Sequence, residues 1–418
     1  MDDMAPTDRV AVAESTRRHL NRGRAQLAAL TGGLTEVASE GAWVWDSGGR
    51  RYLDCGGYGV FLLGHRHPAV VEAVVNQIQR HPLATRLMLE PVAARAAEVL
   101  CDFAPAGLDY AHFVNSGAEA TEAAIKLARA NGYRYLVSMA NAYHGKTLGA
   151  LSITAKEFYQ APFRPLLPGV AQVPFGDAAA LAALLVRTPK ACVFVEPVQG
   201  EGGVVIPPEG YLAEVAALCK RHDALLVVDE IQTGLGRLGW RWGCDAEGVS
   251  PDILLVGKNL SGGVIPAAAM LARADIYEPF NSDPFLHTST FAAAPVAMAA
   301  AEAAVRVIAG EGLVGRAREL GATLLAGVRD AFAAHSDLAT EVRGMGLLIG
   351  IEFSSAELAG ELVLESLERG LILNHSLNAQ RVVRLTPPAI LSDAEVGQIL
   401  DILTQAVTAL ARHHPQRN

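Results

Sequence analysis

Ala224-Leu225-Leu226-Val227-Val228-Asp229-Glu230-Ile231-Gln232 begins with five apolar residues and then stops at two adjacent carboxylates. A strand with one wet face alternates apolar and polar side chains, so a run that is apolar at every position suits a strand covered on both faces. Ala191 to Val195 has the same character, as does Ile253 to Val256, which runs into Gly257-Lys258. Helical stretches such as Pro91 to Phe103 and Ala118 to Asn131 alternate with runs of this kind. That alternation implies parallel crossovers and an α/β fold, with a mostly parallel central sheet between helices.

Outward from this centre the pattern changes. Residues 1 to about 30 read as an arm with a helical stretch. Trp43-Val44-Trp45-Asp46-Ser47-Gly48-Gly49, followed by Arg50-Arg51-Tyr52-Leu53-Asp54, reads as a hairpin around a glycine-rich turn. After about residue 305 an Ala/Leu/Arg-rich helix leads to strands at Gly344 to Phe353 and Val382 to Leu385, then to a helix from Asp393 to about Ala411. The expected organisation is an N-terminal segment (1–65), a large domain (66–305) and a C-terminal α+β domain (306–418). A chain of 418 residues is long enough for more than one core.

The formal net charge of −9 comes with no Lys/Arg stripe, which argues against nucleic acid and anionic membrane as partners. Cys55, Cys101, Cys192, Cys219 and Cys244 are odd in number and widely spaced, unlike a disulfide framework or a CxxC metal site. A reducing cytoplasm fits them. Asp2, Asp3 and Asp8 precede any apolar run, which is wrong for a secretory signal, and no stretch is apolar for long enough to span a bilayer.

In an open parallel sheet ligands lie beyond the carboxyl ends of the strands. Asp229 and Lys258 follow two such ends, and Tyr135 to Ser138 leads to Tyr143-His144-Gly145-Lys146, so a carboxylate, a lysine and an aromatic are expected on one rim. A lysine ending a buried strand is poorly placed for a merely solvated charge. It suits an amine that must lose its proton in a desolvated pocket to attack a carbonyl carbon. A carboxylate beside a heterocyclic nitrogen would keep that nitrogen protonated and the ring electron-withdrawing. Asn115-Ser116-Gly117-Ala118-Glu119 opens a helix whose first amides could hold a phosphate, although alone it reads equally well as an ordinary N-cap with Glu119 in the first turn.

Other motifs carry less. Gly234-Leu235-Gly236-Arg237-Leu238-Gly239 matches GxGxxG, but the residues after it do not open a helix as a dinucleotide site requires. Gly145-Lys146-Thr147 ends like a P-loop, yet Ala140 stands where its first glycine belongs. His65 and His67 lack further ligands at metal spacing and are expected in a turn, so no metal is expected.

Taken together, several segments resemble the class III (ornithine/ω-type) aminotransferases, pyridoxal-phosphate enzymes of fold type I. They are Phe113 to Ala120 with Ala124 to Arg129, Val195-Glu196-Pro197-Val198-Gln199-Gly200-Glu201-Gly202-Gly203, Val228 to Arg237, Gly257-Lys258-Asn259-Leu260-Ser261-Gly262-Gly263 and His287-Thr288-Ser289-Thr290-Phe291. The resemblance covers nearly the whole chain. It implies that pyridoxal 5′-phosphate is the cofactor, with Ser116, Gly117 and Ala118 on its phosphate, Tyr143 stacked on the ring, Asp229 at the ring nitrogen and Gln232 at the ring hydroxyl. Lys258 would form the Schiff base, and Thr290 would reach the phosphate of a neighbouring subunit in a homodimer.

The resemblance also implies that Arg384 binds the carboxylate of a keto acid and that Glu201 pairs with Arg384 when an amine lacking that carboxylate is bound. The chain departs from the family at Ala292-Ala293-Ala294, where Gly-Gly-Asn is usual. It also carries Lys146 where ornithine enzymes have an arginine for the substrate α-carboxylate. Within the family, Asp54-Cys55-Gly56-Gly57-Tyr58-Gly59-Val60-Phe61, which adds Tyr58 to the expected substrate contacts, Tyr143 to Ser152 and Pro162 to Gly169 resemble putrescine aminotransferases. A primary amine and a keto acid are the implied small-molecule partners. Ornithine/acetylornithine-type enzymes, biosynthetic transaminases of unusual aldehydes or ketones, and enzymes of the same fold that break other bonds are the alternatives.

Overall fold

The computed structural model describes residues 8–335 and 337–414, so the first seven residues of the expected arm lie outside it. Three short strands come first: β1 (Glu36–Glu40), β2 (Trp43–Asp46) and β3 (Arg51–Asp54). The central sheet then uses β4 (Tyr110–Val114), β5 (Tyr135–Met139), β6 (Val170–Val173), β7 (Ala191–Val195), β8 (Leu225–Asp229), β9 (Ile253–Val256) and β10 (Ala268–Ala272). Their order is β4-β10-β9-β8-β7-β5-β6. The pairings are parallel except at β10, which runs antiparallel to both neighbours.

Every residue of β7, β8 and β9 is buried. Successive side chains enter different cores: Val193, Val195, Leu226, Val228, Leu254 and Val256 pack into one cluster, and Cys192, Phe194, Leu225, Val227, Ile253 and Leu255 into another. The first core is closed by helices that include Pro91–Phe103 and Pro295–Gly310, the second by the helix Gly117–Ala130. Burial on both faces is thus why these strands lack alternation. The reversal of β10 was not legible in the sequence. Only residues 257–267 join it to β9, too few for the helical crossover that a parallel neighbour needs.

The C-terminal sheet has β11 (Ala339–Met345), β12 (Leu348–Phe353), β14 (Asn374–His375) and β15 (Val382–Leu385) in the order β11-β12-β15-β14. The stretch Gly344 to Phe353, expected as one strand, is strand from Leu348 onward, but its first residues form the end of β11 and a tight turn, with Met345 opposite Leu348. Gly346 makes that turn at φ +54°, with its Cα against the Arg237 and Leu238 backbone, where no side chain fits. The remaining strand, β13 (Leu371–Ile372), pairs parallel with β3, so N-terminal and C-terminal segments share one sheet. Arg237, fully buried, donates to the carbonyls of Gly59 (3.3 Å), Leu347 (3.2 Å) and Pro387 (2.6 Å) and so ties three parts of the chain together. Among the described residues no helix is long and apolar enough to cross a membrane.

The turn between β11 and β12 presses on the middle of the helix Leu313–Ala333, where a Cβ at Gly321 would overlap the Gly346 backbone. Gly321→Ala, usually favourable within a helix, is therefore expected to destabilise by about 1–3 kcal/mol. Gly360→Ala, inside the helix Ala356–Glu368 with nothing within 4 Å, is expected to stabilise by about 0.5–1 kcal/mol. Thermal unfolding of both variants checks the opposite signs.

Candidate active site

Beyond the carboxyl ends of β5, β7, β8 and β9 lies a cavity of about 240 Å³, lined among others by Gly117, Ala118, Tyr143, Glu196, Asp229, Gln232 and Lys258. Asp229, the last residue of β8, is buried. Its Oδ2 lies 2.7 Å from His144 Nδ1, and its Oδ1 accepts from the Ile231 amide at 3.1 Å. His144 is itself fixed, since its amide donates to Thr154 Oγ1 (2.9 Å) and its carbonyl accepts from Thr121 Oγ1 (2.8 Å). Burial alone would lower the imidazole pKa, but the hydrogen bond and charge of Asp229 outweigh it and raise the value. His144 thus braces a carboxylate that faces the cavity.

Lys258 follows β9 and Gly257 in the left-handed region at φ +45°, a conformation that costs a side-chain-bearing residue about 1–3 kcal/mol and persists only where the surroundings enforce it. Its Nζ donates to Gln232 Oε1. Burial lowers the ammonium pKa to about 8, with the Arg384 charge adding to the effect and the Glu201, Asp229 and Glu196 carboxylates opposing it. The buried Nε2 of Gln232 has no protein partner among the described residues. Glu196, just beyond β7, accepts from the amides of Tyr143 (3.0 Å) and Gly200 (3.3 Å), and burial pushes its carboxyl up to about 7.

On the opposite wall, Ser116 caps the helix Gly117–Ala130 in a reciprocal capping box with Glu119, so the ordinary N-cap reading holds. It uses the amides of Asn115, Ser116 and Glu119 and leaves those of Gly117 and Ala118, which line the cavity, without an acceptor among the described residues. A Cβ on Gly117 would lie 2.7 Å from Ile231 Cδ1. At Gly145, with φ +124°, it would meet the Ala118 Cβ at 2.7 Å and its Cα at 3.0 Å, so that close approach needs glycine. Free helix-start amides suit a phosphate, a braced carboxylate suits a protonated ring nitrogen, and the unpartnered Gln232 amide suits a ring oxygen. The residues present therefore fit pyridoxal phosphate.

Glu201 also lines the cavity. Its Oε1 lies 2.9 Å from Nη1 of Arg384, which β15 brings in from the C-terminal sheet, and both side chains are buried. Among the described residues none of the three guanidinium nitrogens makes an aligned hydrogen bond, so despite the short distance this is a charge pair rather than a directed bond. Lys146 lines the cavity mouth, with Nζ 3.9 Å from the centre of the Tyr159 ring.

Four expected site residues stand outside the lining, Arg384 among them, since Glu201 stands between it and the cavity. Ser116 sits behind Gly117. Tyr58, at φ +53° and exposed, flanks Gly59, which packs on Gln232. Thr290 is exposed in a separate depression with Leu83, Arg86 and Phe291, and Arg86 donates to the Ser289 carbonyl at 2.5 Å. His144 and Glu196 were not singled out from the sequence, although each stands inside a motif that was. Among the described residues no group of three or more His, Cys, Asp or Glu could hold a metal.

Residues 32–407 match the family model of the class-III aminotransferases. The chain is similar to ornithine aminotransferase of Toxoplasma gondii, in a structure with partial occupancy of pyridoxal phosphate: 32% identity over 99% of this chain and 97% of that one, TM-score 0.91. It is also similar to an (S)-enantioselective ω-transaminase of Thermomicrobium roseum, with 29% identity over 97% and 100% of the two chains and a TM-score of 0.89. The ω-transaminase of Pseudomonas jessenii, solved with pyridoxamine phosphate, is 27% identical over 93% and 95%, with a TM-score of 0.86. The chain thus belongs to the class-III aminotransferase family and is a pyridoxal-phosphate-dependent transaminase of fold type I.

Proposed function

We propose that this transaminase takes an amino group from a primary amine, either a diamine such as putrescine or an ω-amino compound, and passes it to a keto acid such as 2-oxoglutarate or pyruvate in two successive half-reactions. The observation that carries this reading is the buried pair of Glu201 and Arg384. A buried charge left alone costs about 3–5 kcal/mol, so a pocket that takes an uncharged chain in one half-reaction and a carboxylate in the other needs an internal counter-ion that can leave. With Glu201 on Arg384 the pocket accepts an amine. With Glu201 displaced, the guanidinium is free to bind a keto acid in bidentate fashion. Lys146 leans on the Tyr159 ring, which supports a donor without an α-carboxylate clamped at the mouth, and in this reading Tyr58, beside Gly59, contacts the substrate.

When bound, pyridoxal phosphate supplies an electron-withdrawing ring that makes loss of a proton from the amine-bearing carbon feasible. The roles assigned to this chain follow from its own atoms. Gly117 and Ala118, aligned by the Ser116 cap, hold the phosphate. Asp229, braced by His144, holds the ring nitrogen as a cation, Tyr143 covers the ring face and Gln232 holds the ring oxygen. Lys258 Nζ would attach the cofactor covalently and, when free and neutral, would serve as the base that carries a proton.

The working unit in this reading is a homodimer in which Thr290 binds the neighbouring subunit's cofactor phosphate. The consecutive and highly exposed Leu87, Met88 and Leu89 support it, since contiguous exposed apolar side chains mark protein interfaces. Five free cysteines fit a cytoplasmic setting.

Lys258→Ala is expected to abolish turnover and the absorbance of covalently held cofactor together. The attacking amine must be neutral. With its pKa near 8, covalent uptake of pyridoxal phosphate by the apoprotein should accelerate up to about pH 8 and then level off. A rate still climbing about tenfold per pH unit above 9 would contradict the lowered value. Arg384→Ala should raise the KM for the keto acid by at least about tenfold. A panel of diamines, ω-amino acids and simple amines, ranked by single-turnover conversion of the cofactor, identifies the donor class. Failure of every amine to convert it overturns the proposal.

A further inference from the structure

We infer that residues 376–379, in the segment joining β14 to β15, are a latch that holds Glu201 on Arg384, and that Lys156 and Asn378 are positioning residues that set how readily the enzyme admits its keto acid. This rests on the reading of Glu201 and Arg384 as a gate. The charge pair itself gives no directed bond, so it does not fix the orientation of the carboxylate. The aligned bond to the Glu201 side chain comes from the Leu377 amide, which donates to Oε2 at 2.8 Å. A hydrogen bond to an ionised acceptor is about twice as strong as a neutral one, and this one exists only while Glu201 is turned towards Arg384.

That amide is held in place from several sides. The Asn378 amide donates to the Glu201 carbonyl at 2.9 Å, and the Tyr159 hydroxyl donates to the Leu377 carbonyl at 3.1 Å. Lys156 Nζ donates to the Asn378 carbonyl at 2.6 Å, and Asn378 Nδ2 donates to the Asn141 carbonyl at 2.9 Å. Neither Lys156 nor Asn378 lines the cavity. The strap therefore connects the hairpin that carries Arg384 to the loop that carries Tyr143, and its amide favours the closed gate.

The consequence is directional. If the closed gate predominates, the apparent keto-acid affinity is reduced by the small fraction of open enzyme, whereas amine affinity is already near its limit. Loosening the latch should tighten keto-acid binding and leave amine binding unchanged or weaker. A purely structural role would weaken both.

The test uses holoenzyme in single turnovers, with putrescine and 2-oxoglutarate or the fastest pair from the panel above. Lys156→Met and Asn378→Ala are expected to lower the apparent dissociation constant of the keto acid about three- to tenfold without tightening the amine. Lys156→Arg, which keeps a donor, should restore the native ratio. In a Glu201→Gln background, Lys156→Met should lose most of its effect on that ratio. Unchanged or weakened keto-acid binding in both latch variants overturns the inference. If Glu201→Gln itself fails to separate the two half-reactions, the gate is wrong. If it separates them while the latch variants do not, the gate stands and the latch falls.

Discussion

Burial of β7, β8 and β9 on both faces is the constraint from which the rest of the molecule follows. With apolar cores above and below, these strands can present polar groups to a ligand only past their ends. At the carboxyl ends the chain offers Glu196, Asp229 and Lys258 within one cavity. The same low-polarity setting pushes Glu196 up to about 7 and brings Lys258 down to about 8, so a carboxyl and an amine both titrate near neutrality. An exposed rim of the same composition would have neither property.

Around that rim, precision comes from neighbours that are distant in sequence. Asp229 faces the cavity in one orientation because His144, on another strand's loop, is itself fixed by Thr121 and Thr154. Arg384 enters from a different sheet, and the fully buried Arg237 holds the surrounding backbone through three carbonyls. A guanidinium stays charged under these conditions, so its burial is sustained by those carbonyls rather than by neutralisation. In the proposed function the mobile member of this assembly is the Glu201 side chain, set against an otherwise rigid frame.

Some features were legible because they are local. The runs at Ala191, Ala224 and Ile253 gave their own strands, and the first turn of the helix Gly117–Ala130 could be read both as a cap and as an anion site. It has the geometry for both, since Glu119 occupies the outer amides and leaves those of Gly117 and Ala118 free. Other features were not local. The antiparallel β10, an alanine-rich run with weak strand character, is set by the shortness of its connection, and the turn at Gly346 is set by a helix and a loop that press on it. The site-building contacts of His144 and Glu196 span 85 and 53 residues of chain, distances over which spacing in the sequence carries no geometric information.

By itself, then, the sequence determined the α/β class, the strands that end in an acid and a lysine, and the family, because hydrophobic periodicity and motif order are written along the chain. Tertiary structure alone decided the left-handed backbone of Lys258, the bracing of Asp229, the strap across Glu201 and the separation of Thr290 from the cavity in its own chain. Those depend on which surfaces meet when two cores and three sheets close on each other. A buried charge or amide acquires its pKa and its partner only at that stage, from groups whose proximity no linear pattern encodes.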